Sequence, residues 1–284
     1  MTNQPMVSIC CITYNHGRFI AQAIESFLMQ QTNFEFEIIV GDDCSSDQTL
    51  KIVKLFSHKH PGKIKLITSP KNLGTHNNLI NCQKFCTGKY VALCEGDDYW
   101  TDIFKLQKQV DFLEQSVDHV ICCHYTRVIN ENNETLYVHP NPIPLEHTYF
   151  DLLSGKQEET KTASMLYRNF PEINQLFAKQ WFFNCFAGDK IFKLFATHLS
   201  GKKIYVMPDV MSCYRNHTGG VWSMIDSKVR MERRISDFNL IIKNFTYPTY
   251  KRKSLLLLYI KEYLLFELRN RRLRKVYSTL KYLI

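Results

Sequence analysis

Long apolar runs are missing from this sequence. The longest unbroken one, Leu255 to Ile260, has six residues, and a membrane-spanning helix needs about 20. No spanning segment is therefore expected. The start, Met1-Thr2-Asn3-Gln4-Pro5, has neither the basic residues nor the apolar stretch of a signal peptide. A cytoplasmic location is expected from that. Neither G-x-G-x-x-G nor G-x-x-x-x-G-K-[ST] occurs, so dinucleotide-binding and P-loop chemistry lose their usual support. C-x-x-C pairs are also absent, which removes the pattern of a structural zinc site. The ten cysteines instead fall mostly inside apolar runs, where reduced thiols behave as small buried hydrophobes.

What is present is an ordinary globular composition. The chain has 284 residues, 45% hydrophobic and 22% charged, which excludes wholesale disorder and suits one large domain with appendages. The net charge of +9 is concentrated at one end. Residues 250–284 hold ten Lys or Arg against only Glu262 and Glu267. The body is nearly neutral, and the tail is the basic object.

The first 130 residues alternate strand and helix signals. Val7 to Tyr14 is an apolar run of the kind buried on both faces of a sheet. Ile20, Ala23, Ile24, Phe27 and Leu28 then repeat at helical spacing. Phe36 to Val40, Lys63 to Thr68, Lys89 to Glu95 and His119 to Ile129 read as further strands. Ser45 with Gln48 predicts a capping box for a following helix, and Thr101 predicts the cap of another. Residues 76–86 predict a helix between them. This alternation implies an α/β fold with a mostly parallel sheet and helices on both faces. His139 to Pro144, with three prolines, breaks regular structure. Beyond it a strand at Ala163 to Tyr167, a helix from Asp189 to His198 and extended segments at Lys203 to Met207 and Val210 to Tyr214 are expected. From about residue 224 the chain reads as helical to its end.

In open α/β sheets, ligands bind beyond the carboxyl ends of the strands. Three polar clusters sit there: Thr13-Tyr14-Asn15, Asp42-Asp43 and Glu95-Gly96-Asp97-Asp98. Three carboxylates within four residues repel one another unless something cationic holds them, and a hard divalent ion is the usual solution. A solvated Gly-Asp-Asp turn is the plainer alternative, but the second strand-end pair favours a ligand site. A carboxylate at Asp42 or Asp43 suits hydrogen bonds from a ribose or base imide, and Tyr14 offers a stacking face.

With these residues in order, the sequence resembles the inverting family 2 glycosyltransferases of GT-A fold. The resemblance rests on Val-Ser-Ile-x-x-x-Thr-Tyr-Asn from Val7, Gly41 to Asp47, Asn72-Leu73-Gly74 and Glu95 to Trp100. Gly188-Asp189 and the stretch from Tyr214 to Ser223 extend it to roughly residues 6–223. It implies that Thr13, Tyr14, Asn15, Asp42 and Asp43 hold the nucleoside, with Asn72 and Asn78 near the base or ribose. It implies that Glu95, Asp97 and Asp98 stand at the metal and diphosphate motif, and that His217 approaches both. Asp97, Asp98 and His217 are then the metal residues, for Mn2+ or Mg2+, and Asp189 is the catalytic base. Arg215 and Trp222 are weaker candidates. Glu95 replaces the usual Asp and Cys44 a common Gly. The Q-x-x-R-W signature of processive synthases is absent, which implies single-sugar addition.

The resemblance divides the chain into a nucleotide-sugar half at 1–130, an acceptor half at 131–223 and a basic helical tail at 224–284. It implies a UDP-sugar donor and a saccharide or lipid-linked acceptor of bacterial polysaccharide synthesis. The tail's mixture of Leu, aromatic and Lys/Arg residues suits an anionic membrane surface, against packing on the domain or an oligomer contact. Three rivals remain: a sugar nucleotidyltransferase, a glycan-binding relative without activity, and a nucleic-acid binder. No nucleic-acid-reading motif supports the last, and Asn15-His16-Gly17-Arg18 is a poor match to a nucleotidyltransferase loop.

Overall fold

The computed structural model describes residues 4–220 and 225–284. Its first half runs β1 (Val7–Thr13), α1 (Ile20–Leu28), β2 (Phe36–Asp42), α2 (Thr49–Lys59), β3 (Ile64–Thr68), α3 (Thr75–Gln83), β4 (Tyr90–Leu93), β5 (Tyr99–Trp100), α4 (Lys105–Gln115) and β6 (His119–Asn130). The second half continues with β7 (Thr135–Tyr137), β8 (Leu145–His147), α5 (Tyr149–Leu153), β9 (Leu166–Arg168), α6 (Asn174–Phe177), α7 (Gly188–Ser200) and β10 (Lys203–Asn216). Four α-helices close the chain: α8 (Ser227–Asn244), α9 (Thr249–Tyr259), α10 (Leu265–Arg269) and α11 (Leu273–Leu283).

The strands form one sheet in the order β3-β2-β1-β4-β9-β6-β10-β5, with β7 on β6 and β8 on β10. β1, β2, β3 and β4 are parallel neighbours, as is β6 with β10. The short β5, β7, β8 and β9 pair antiparallel, so the sheet is mixed around a parallel centre.

Alternating side chains of the central strands feed two cores, as the period of two along a strand requires. Val7, Ile9 and Cys11 join Ile38, Val40, Tyr90 and Ala92 under α1 and α4. Cys10, Ile39, Val91 and Leu93 face the other way, into the core shared with α7 and the C-terminal helices. Close approach of α3 to β2 explains Gly41. A Cβ there would fall 2.1 Å from Cys82 Sγ and 2.6 Å from Asn78 Oδ1.

Several sequence expectations are corrected by competing partners. The Ser45–Gln48 capping box does not form, because the Ser45 hydroxyl accepts the Asn15 amide at 2.9 Å. Asp47 serves α2 instead, its Oδ1 accepting the Thr49 amide at 2.9 Å. Thr101 does not cap α4; its amide donates to the Met211 carbonyl at 2.9 Å while Asp102 accepts the Phe104 amide. The two extended segments after residue 203 are one strand, β10, interrupted by register shifts around Met207 to Ser212. The strand expected at Ala163 begins at Leu166, because Thr162–Ser164 form a 3-10 turn.

The tail packs on the domain through one side. Ile235, Phe238, Ile241, Leu255, Tyr259, Tyr263 and Leu283 are buried in the same core as α7. Its outer side remains apolar and basic. Tyr250, Leu257, Leu265, Leu268, Leu273, Tyr277 and Ile284 are exposed beside Lys253, Lys261, Arg274 and Lys281. Among the described residues, no helix is long and apolar enough to cross a membrane.

Candidate active site

The parallel strands β1, β2 and β4 end at one edge of the sheet. Thr13 pairs with Asp42 there, and the Gly96 amide donates to the Ile12 carbonyl at 3.0 Å. Two buried groups at this edge lack hydrogen-bond partners among the described residues: Thr13 Oγ1 and Asp42 Oδ1. Asp42 Oδ2 accepts the Ser45 amide at 3.1 Å. Tyr14 is 44% exposed beside them.

Other residues expected at the nucleoside have internal partners. Asp43 Oδ1 accepts the Leu73 amide and Oδ2 the Gly74 amide, both at 2.8 Å, fixing the loop before α3. Asn72 Oδ1 accepts the Gly74 amide at 3.0 Å. Asn78 is buried and donates to the Gly41 carbonyl at 2.8 Å. Asn15, at φ +56°, accepts the Ser46 amide at 2.8 Å and so braces the loop after β1 against the loop after β2.

The carboxylates after β4 diverge in environment. β5 pairs antiparallel with β10, and this returns the end of β10 to the Glu95–Asp98 loop. Asp98 is buried and its Oδ1 accepts the Arg215 amide at 2.8 Å. Burial, then the charges of Asp97 and Glu95, raise its pKa well above the ordinary range. Arg215 donates through Nε to the Asp97 carbonyl at 2.9 Å and through its terminal nitrogens to Asn133 and Gln22. It is a brace beneath the loop.

Asp97 faces two imidazoles. Its Oδ2 lies 3.0 Å from His217 Nε2 and 3.6 Å from His16 Nε2. Burial pushes Asp97 up, but the His217 hydrogen bond and the nearby imidazoles outweigh it and leave its pKa low. Among the described His, Cys, Asp and Glu side chains, His16, Asp97 and His217 are the one set of three whose ligand atoms lie mutually within 4.8 Å. Asp98 does not join it. Reading the sequence missed His16; the available signal was an imidazole placed just after a strand end beside Tyr14-Asn15.

Asp189 is the second residue of α7. Its Oδ2 accepts from Lys193 Nζ at 2.9 Å, one turn later, and Lys193 also donates to the Thr160 carbonyl and hydroxyl at 2.9 Å each. Burial acts to raise the Asp189 pKa, yet the Lys193 charge and hydrogen bond hold it below its ordinary value. Glu95 moves the other way, to about 8, through burial and then repulsion from Asp97 and Asp189. That repulsion means that the charge at the start of α7 is felt at the carboxylate loop. Trp222 lies outside the described residues.

The Glycosyl transferase family 2 model matches residues 8–175. Protein Rv1520 of Mycobacterium tuberculosis is 32% identical over 220 residues, covering 76% of this chain and 60% of that protein. The chain thus spans about 60% of the length of such relatives. The Bacillus subtilis protein EpsE is 38% identical over 115 residues, 40% of this chain and 41% of that one. Among solved structures, Staphylococcus aureus TarS with UDP-GlcNAc superposes with a TM-score of 0.65 at 19% identity, covering 90% of this chain and 72% of the other. The mannosyltransferase PcManGT of Pyrobaculum calidifontis, with GDP-Man and Mn2+, gives 0.65 at 16% identity, covering 99% and 74%. At such identities the likeness concerns the fold.

Proposed function

This chain belongs to glycosyl transferase family 2, and from that premise we propose that it moves one sugar from a nucleotide-sugar donor to an acceptor hydroxyl with inversion. The donor is a UDP-sugar, and the acceptor a saccharide or lipid-linked saccharide of bacterial surface polysaccharide. Residues 1–130 hold the donor, 131–223 the acceptor, and 224–284 form the tail. The observation that carries this reading is the charge coupling between Asp189 and the carboxylate loop, felt at Glu95. An ionised Asp189 is held low by Lys193, and the strand-end carboxylate loop meets His217 through Asp97.

Each residue then has a task. Thr13 and Asp42 offer the unpaired oxygens that a nucleoside would satisfy, and Tyr14 offers its ring. Asp189 takes the proton from the acceptor hydroxyl as that oxygen attacks the anomeric carbon opposite the diphosphate. Asp97 and His217 fit a divalent cation, Mn2+ or Mg2+, because a carboxylate and an imidazole converge at a partly buried site. Such an ion, when bound, would offset charge on a diphosphate leaving group. Asp98 supports the loop through Arg215.

The exposed apolar and basic side of the tail supports peripheral association with an anionic, cytoplasm-facing membrane, where a lipid-linked acceptor would lie. Calorimetric titration with UDP, GDP, CMP and single-stranded RNA, with and without Mn2+, tests the donor reading. Mn2+-dependent UDP binding that Asp97→Ala abolishes is expected. Salt-sensitive RNA binding with no nucleotide binding would overturn it.

A further inference from the structure

We propose that His16 is a third protein ligand of the divalent cation, so that the site holds its ion with two imidazoles and one carboxylate. This rests on the reading that Asp97 and His217 bind a cation at all. Two donors each about 2.1 Å from one ion stand about 3.0 to 3.4 Å apart at octahedral or tetrahedral angles. The separations from Asp97 Oδ2, 3.0 Å to His217 and 3.6 Å to His16, are close to that range.

His16 is otherwise unexplained. Its Nε2, the nitrogen 3.6 Å from Asp97 Oδ2, is too far from it for an ordinary hydrogen bond. Buried polar groups normally find partners, and a missing ion is one reason for an exception. The ring's backbone is pinned as well. The His16 carbonyl accepts the amides of Phe19 at 2.8 Å and Ile20 at 2.9 Å, which start α1. On its other side the Gly17 amide donates to Asp47 Oδ2 at 2.8 Å, and a Cβ on Gly17 would fall 2.8 Å from that oxygen. The turn thus holds one imidazole beside Asp97, and the end of β10 brings the other.

The donor set has a consequence for ion choice. Imidazole nitrogen suits first-row transition ions, with Mn2+ at the weak end of that series, whereas Mg2+ favours an all-oxygen shell. A site with two imidazoles discriminates against Mg2+ more strongly than one with a single imidazole.

The test is electron paramagnetic resonance of Mn2+ on the whole chain with UDP present, in the parent, His16→Gln, His217→Gln and Asp97→Asn. The parent is expected to bind one Mn2+ with electron-spin-echo modulation from two imidazole nitrogens. His16→Gln should lose one of these, weaken Mn2+ at least tenfold and narrow the preference over Mg2+. Parent-like affinity and Mg2+ competition in His16→Gln, with loss in Asp97→Asn, would overturn the proposal and leave the metal reading standing. If His16→Gln fails to fold, the modulation from the parent decides, since a single imidazole there excludes His16. A parent that binds no Mn2+ would overturn both.

Discussion

Asp237, on α8, accepts the amides of Phe186 and Ala187 through its two carboxylate oxygens, at 2.8 Å each. Those residues immediately precede α7, which carries Asp189 at its second position. A buried acid in the C-terminal tail therefore fixes the backbone that presents the proposed base. The tail is part of how the site is built, as well as a cover for one face of the core.

Asp237→Asn should slow transfer more than it weakens donor binding. An amide side chain has one oxygen, so it can accept one of the two backbone donors well and presents an N–H to the other. Leaving a buried amide unsatisfied costs about 1 to 3 kcal/mol, and the released loop lets Asp189 wander. A fall in kcat of tenfold or more with an unchanged UDP affinity is expected. Steady-state kinetics beside calorimetry separate the two; an equal loss in both would mean that Asp237 supports donor binding as well as the base.

Much of this was legible in the sequence for a physical reason. β1, β2 and β4 are buried on both faces, so they read as apolar runs, and the polar residues at their ends stand out. Asp189 was legible only through its resemblance to a motif. Asp237 was not, because its partners are backbone amides about fifty residues away. His16 was passed over since its neighbours Asp97 and His217 arrive from β4 and β10. The tail's inner face was hidden too, since Leu255, Tyr259 and Tyr263 lie within a segment that looks apolar nearly all round. Helix caps failed where a nearby loop claimed the capping hydroxyl, as Asn15 does with Ser45.

Asp189→Asn should leave donor binding intact and cut transfer by about 10² to 10⁴, the usual worth of a general base. Measuring UDP-sugar affinity and single-turnover transfer on the same preparation checks this. Normal turnover would remove Asp189 from that role.

Lys193→Met should move the acid limb of the transfer profile to higher pH. The Lys193 charge offsets the burial of Asp189 and keeps its carboxyl below the ordinary value. Without that charge the carboxyl picks up a proton at higher pH, so the base is disabled sooner as pH falls. Breaking a buried pair also destabilises, by about 3 to 5 kcal/mol, so the profile is recorded below the variant's melting point. An unmoved limb would show that Lys193 does not set the base.

The outer side of the tail should bind vesicles containing phosphatidylglycerol and ignore zwitterionic ones. Leu273 and Tyr277, one turn apart on α11, and Ile284 just past its end are exposed, with Arg274 and Lys281 nearby. Basic residues near an anionic surface contribute about 1 kcal/mol each, and salt screens them. Co-sedimentation should fall several-fold between about 0.1 and 1 M salt, and Leu273→Ser with Tyr277→Ser should weaken it without lowering Tm. Equal binding to neutral vesicles would remove the electrostatic part of this reading.

Lys105 makes a prediction about stability away from the site. It is fully buried, donates to Gln109 Oε1 at 2.7 Å and stands 4.0 Å from the Trp100 ring centroid. Burial lowers its pKa to about 7. Between that value and the ordinary 10.5, the unfolded chain binds a proton that the folded protein does not. Stability from this group therefore grows as pH rises through that window and is absent below pH 7 or so. Lys105→Met removes the effect at the cost of one pH-independent hydrogen bond, about 1 kcal/mol. The variant should gain on the parent as pH falls, by at most about 4 kcal/mol between pH 10 and pH 6. Urea unfolding at pH 6, 8 and 9.5 measures this. A difference that stays flat with pH would mean that Lys105 keeps its charge inside the protein, held by the Trp100 ring and Gln109.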